Sequence, residues 1–136
     1  MGSHSQKTIV KVAIVQAGTV LFDNKKTLQK LRDYARQAAE SGADLVLFPE
    51  AFIGGYLKGL TFGVRMGTRS EEGRDEFRRY WECAIQEDGP ESKQLAAIAD
   101  EFNIYLVTGV IERIGSTLYC SIRVNTFGRQ TSPKLH

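Results

Sequence analysis

The chain has 136 residues, 42% of them hydrophobic and 25% charged, with a formal net charge of +2. That is the make-up of one globular domain, long enough to bury about 70% of the surface its unfolded form exposes. The charge is too small to argue for nucleic acid or an anionic membrane, and basic residues alternate with acids (SEEGRDEFRR), which reads as a solvated face.

Residues 1–7 are set aside as an N-terminal tail or a remnant of cloning. Thr8 to Ala17, TIVKVAIVQA, is β-branched and mostly apolar, which predicts a strand buried on both faces. Asp23 is placed to cap a helix running to about Ser41, with Leu28, Leu31, Tyr34, Ala35 and Ala38 at helical spacing and Gly42 as the stop. ADLVLF is a second strand, so the first two strands should be parallel with a right-handed crossover. Pro49 to Ser70, rich in glycine and aromatic residues, reads as a long functional loop. A helix is expected over about Glu71 to Ile85, with Phe77, Trp81, Ala84 and Ile85 on its inner face. Gly89-Pro90 opens a third, with Leu95, Ile98, Ala99 and Phe102 inward. IYLVTGVIE is the third strand, and TLYCSIRVN pairs back after a glycine turn as an antiparallel fourth.

Three strands apolar on both faces need cover on both, and three helices of this length cover one. The second face is expected to be bare or packed on something beyond this stretch of chain. No run approaches the roughly 18 apolar residues of a membrane span, and no basic-then-apolar leader opens the chain.

His4 and His136 are the only histidines, which leaves no interior imidazole for Ser-His-Asp or Cys-His catalysis or for His-ligated zinc. Cys83 and Cys120 lack a C-x-x-C spacing, so neither a metal centre nor a disulfide framework is expected, and a reducing cytoplasmic setting fits. No cofactor is implied. Glu50 is the residue that demands an account, since LVLFPEAFIGGY ends an apolar strand in an acid. It is either a general base at the carboxyl end of a parallel strand, desolvated by Phe48, Phe52 and Ile53, or a carboxylate accepting backbone N–H bonds in the turn after Pro49. The residues alone leave both open. Glu112 reads as an exposed strand-end carboxylate, and Phe77, Trp81 and Phe102 as core. GGYLKGLTFG lacks the spacing of a phosphate loop.

The segments VAIVQA, GADLVLFPEAFIGGY, GRDEFRRYWECAI, GPE, YLVTGVIE and TLYC follow one another in an order and spacing that resembles the nitrilase branch of the carbon–nitrogen hydrolases, from Ile9 to Cys120. The resemblance implies the N-terminal half of a four-layer α-β-β-α sandwich, an α/β fold with a mixed, mostly parallel sheet. It divides the chain into a partial hydrolase domain over 8–125 and a divergent tail over 126–136. It implies a Glu-Lys-Cys triad in which a thiolate attacks a nitrile carbon, the glutamate moves protons and the lysine stabilises negative charge. Glu50 matches the family glutamate, and Lys134, in FGRQTSPKLH, stands where the family lysine would fall. Tyr56 and Lys58 are candidates to line the substrate pocket. The family's CWE nucleophile segment does not occur in these residues. Cys120 matches a non-catalytic cysteine and is expected to be an inert core thiol, while Cys83 falls on a helix. Leu57 replaces a family proline, and SIRVNTFGRQTS is less apolar than the strand it matches.

Two readings follow. One is a truncated nitrile hydrolase, inactive alone, whose small-molecule nitrile binds once the missing half is supplied. The other is a non-catalytic assembly or regulatory remnant that associates with itself or with a full-length relative.

Overall fold

The computed structural model describes residues 9–55 and 71–128, together with the strand backbone at 134–135; the side chains of 72 and 73 are outside it. Five strands form one sheet in chain order: β1 (Val12–Ile14), β2 (Leu45–Leu47), β3 (Tyr105–Ile114), β4 (Thr117–Asn125) and β5 (Lys134–Leu135). β1, β2 and β3 are parallel, with Val12 opposite Leu45 and Leu45 opposite Tyr105. β3 and β4 form an antiparallel hairpin that turns at Gly115-Ser116, with Ile114 opposite Thr117, and β5 adds antiparallel to β4. The sheet is mixed and mostly parallel, as read from the sequence. The short β5 was not anticipated.

Helix α1 (Asn24–Glu40) crosses from β1 to β2. Its first turn is capped by Asp23, whose carboxylate accepts from the Lys26 N–H at 3.0 Å. Leu28, Leu31 and Ala35 are its buried stripe. Helix α3 (Pro90–Phe102) packs beside it, burying Leu95, Ile98 and Ala99 as the spacing predicts. The two are joined at the surface by Arg32, which pairs with Glu101 at 2.6 Å and lies over the Phe102 ring. Both helices cover one face of the sheet, the side of Val46, Leu106 and Val110.

The other face is bare. Ile14 is 67% exposed and Ile122 is 46% exposed, and Val12, Leu47 and Tyr105 on the same face are exposed as well. β1 therefore is not buried on both sides, and it spans fewer residues than its composition allows. β2 is equally short, because Pro49 has no N–H to continue the ladder. The free edge of β3 beyond Val107 is instead closed by two isolated bridges. Ile53 pairs with Val110, and Ile85 pairs with Glu112.

Helix α2 (Glu71–Cys83) differs from the expected pattern. Tyr80 is buried within it, Ala84 and Ile85 are buried just beyond its end, Ile85 in a bridge to β3, and Phe77 is exposed. Trp81 is half-buried, with the Arg113 guanidinium 5.3 Å from its ring centroid. Glu112 also differs. It is fully buried within β3 and accepts a hydrogen bond from Ser121 at 3.3 Å. The polar residues that make β4 less apolar, Ser121, Arg123 and Asn125, alternate onto this same helix-covered face, where they are buried around Thr108 and Glu112.

Candidate active site

Between Leu47 and Ile53 the chain leaves the sheet and comes back. The Phe48 N–H still donates to the Val107 carbonyl at 2.8 Å, and the Ile53 N–H donates to the Gly109 carbonyl at 3.1 Å. Pro49, Glu50, Ala51 and Phe52 form an arch over that gap, on the bare face of β3. The arch is tight enough to put Ala51 at φ +50°, a left-handed conformation that an L-residue with a side chain rarely holds. The paired glycines follow with φ +106° and +86° at Gly54 and Gly55, conformations suited to residues without a Cβ.

Gly109 makes the arch possible. A Cβ there would fall 2.5 Å from both the Ala51 nitrogen and the Pro49 carbonyl oxygen. A glycine inside an otherwise β-branched strand is the sequence signal for such an approach, and TGV in YLVTGVIE carried it. From the far side, the buried Tyr80 hydroxyl donates to the Gly55 carbonyl at 3.2 Å and secures the exit of the arch. Tyr80 also packs with Ala51, Ala84 and Ile111 in a small second core. Burial, with a smaller contribution from the charge of Cys120, pushes its phenol up to about 12.

Glu50 stands on this arch just past the carboxyl end of β2 and is exposed on the bare sheet face. Of the three residues expected to wall it, Phe52 and Ile53 are buried in the main core, whereas Phe48, part of the same core, also lines the groove at Glu50. The carboxylate instead borders a groove of about 610 Å³ whose lining is almost wholly apolar, including Ile14, Leu47, Val107 and Ile122. Cys120 is here too. Its Sγ is 3.6 Å from Glu50 Oε1, with the thiol as donor. It is exposed, not a core thiol as expected from the sequence. Burial first, then the hydrogen bond and charge of Glu50, push the Cys120 thiol up, and burial with the Glu82 charge does the same to Cys83. Neither sulfur is a thiolate near neutrality, so neither is set up as a nucleophile.

Tyr56 and Lys58 lie outside the described residues. Lys134 falls in β5, where its register partner is Arg123. Among the described residues no group of three or more His, Cys, Asp and Glu side chains could hold a metal ion. What the arrangement offers is a carboxylate held at a strand end beside an apolar groove, able to take a proton from, or give one to, a group lying over the sheet.

The chain belongs to the carbon–nitrogen hydrolase family, whose sequence model matches residues 11–131. Within that family it is similar to nitrilases. It is 50% identical over 122 residues to the bifunctional nitrilase/nitrile hydratase NIT4B of Nicotiana tabacum, covering 90% of this chain and 35% of that protein. It is 51% identical over 117 residues to nitrilase 2 of Arabidopsis thaliana, covering 86% and 34%. The chain thus spans about a third of the length of the curated relatives it matches. Among solved structures, an amidase from Nesterenkonia sp. superposes with a TM-score of 0.59 at 22% identity, covering 86% of this chain and 38% of that one. That likeness bears on the fold, and it is the nitrilase-superfamily fold, present here in part.

Proposed function

We propose that this chain supplies the acid–base side of a nitrilase-type site, with Glu50 as the proton-transfer group and the nucleophilic thiolate contributed by residues outside these 136. The observation that carries the reading is the arch that holds Glu50 at the end of β2, over an apolar groove sized for a small molecule. Similarity to plant nitrilases supports a nitrile as substrate. In the proposed reaction a thiol gives its proton to Glu50 and its sulfur bonds to the nitrile carbon. The nitrogen collects protons, leaves as ammonia after one water adds, and a second water releases the carboxylic acid and restores the thiol. Lys134 is proposed as the cation that stabilises charge developing on nitrogen, and Tyr56 and Lys58 as pocket residues. Two free thiols support a reducing, cytoplasmic setting.

The test is a chimera in which residues 11–131 replace the matching segment of the tobacco relative. Ammonia and acid are measured with aliphatic and aromatic nitriles. The reading expects turnover by the chimera and none by the 136-residue chain alone. A folded chimera without turnover counts against it, and turnover by the chain alone counts against a thiolate from outside. Carrying the chimera through residue 136 tests Lys134: loss of turnover in Lys134→Met supports its role, and unchanged turnover removes it.

The bare sheet face favours a second reading, in which the chain is an assembly or regulatory partner of itself or of a full-length relative. Exposed apolar residues of this extent, on Ile14, Leu47, Tyr105 and Ile122, are the kind of surface that mediates association.

A further inference from the structure

We infer that Cys120 is a positioning residue for Glu50: its thiol donates to Glu50 Oε1 across the sheet face and fixes the direction of the carboxylate over the groove. The inference rests on the reading of Glu50 as the proton-transfer group.

The strand register puts Cys120 where this is possible. It pairs with Ile111 in the β3–β4 hairpin, so it shares the bare face with Gly109 and Ile122, while its neighbours Ser121 and Tyr119 point the other way. Glu50 and Cys120 are 70 residues apart in sequence, yet the donor and acceptor are separated by 3.6 Å. The contact spans the width of β3, which the arch crosses only because Gly109 has no side chain to lift it. The arch is then held from three sides: by the Gly109 backbone beneath it, by Tyr80 at its exit, and by Cys120 at the carboxylate itself.

The chemistry of the thiol suits this task. Burial and the neighbouring carboxylate keep Cys120 protonated, which makes it a donor. An S–H is a weak donor, so it selects a carboxylate orientation without the charge-assisted grip of a lysine or arginine, which would blunt a base. Among the described residues, the ionisable groups that interact with the thiol are Glu50 from the arch and Tyr80 from α2; Arg113, on the same face of β3 by register, is engaged over Trp81. β4 pairs with β3 along its whole length, so Cys120 is held on a rigid element and the arch has a fixed point to lean on.

Two measurements test the inference. The first uses the 136-residue chain carrying Cys83→Ser, which leaves Cys120 as the sole thiol, and follows the pH profile of its alkylation with and without Glu50→Gln. The inference expects the profile to move to lower pH when the carboxylate is replaced; an unmoved profile overturns it. The second uses the chimera described above. Cys120→Ala is expected to lower kcat about tenfold or more with KM little changed, and Cys120→Ser, which keeps a donor, to recover most of the loss. Equal kcat in the alanine and cysteine chimeras overturns the inference. A chimera inactive with Cys120 intact counts against the nitrilase reading instead, and the alkylation profile still decides whether thiol and carboxylate are in contact.

Discussion

Gly109 is the floor beneath Glu50: a Cβ at position 109 would sit 2.6 Å from the Glu50 Cα, closer than any real Cβ contact. Because the atoms in the way are backbone, the clash has no flexible side chain to absorb it. Gly109→Ala should therefore cost about 1–3 kcal/mol, the usual range for forcing extra atoms into a packed site. Chemical denaturation measures it. The same substitution in the chimera should lower turnover by roughly 100-fold through displacement of the carboxylate. A Gly109→Ala protein as stable and as active as the parent would mean that the arch is not held from below.

Tyr80 makes a prediction in pH. Its hydroxyl donates to Gly55, so Tyr80→Phe should cost about 0.5–1.5 kcal/mol near neutral pH. The phenol is raised in the folded protein from 10.0 to about 12, first by burial and then by the charge of Cys120. In the window between those values the unfolded chain releases this proton and the folded chain keeps it. The unfolded state then binds fewer protons, and stability falls as pH rises. Urea midpoints followed upward from neutral pH should drop more steeply for the parent than for Tyr80→Phe. Parallel curves would mean that Tyr80 ionises as freely folded as unfolded.

The bare sheet face predicts self-association of the isolated chain. Ile14 and Ile122 are exposed on that face, and a charge on either interrupts the apolar surface. Sedimentation should find the parent chain larger than a monomer and the Ile14→Lys/Ile122→Lys double variant closer to one. A parent chain that stays monomeric at tens of micromolar would show that this surface is not sticky enough to drive assembly.

Much of the fold was legible because it is local. Asp23, Gly42, Pro90 and the Gly115 turn mark element ends through backbone geometry that each residue sets by itself, and α1, α3, β3 and β4 lie close to where those signals place them. The bare face was legible for a different reason: apolar strands need two covers, and the helices supply one. What escaped was long-range. Glu112 reads as a strand-end acid, yet Ile85 extends the edge of β3 beside it and it is fully buried, which no spacing within VIE encodes. Cys120 reads as a core thiol because its strand is apolar, but burial depends on which face the register selects. Its approach to Glu50 depends on the arch crossing β3. Phe77 follows the helical period yet is exposed, and the buried positions are Tyr80 within α2 and Ala84 just past its end.

The central claim is that Glu50, on its arch at the end of β2, moves the proton in a nitrile-hydrolysing site. The measurement that tests it most directly is the initial rate of ammonia release by the chimera, with Glu50 and with Glu50→Gln, each checked for folding by circular dichroism. The account predicts a loss of about 100- to 10,000-fold on removing the proton-transfer group. A glutamine chimera that folds and turns over at the parent rate would contradict it.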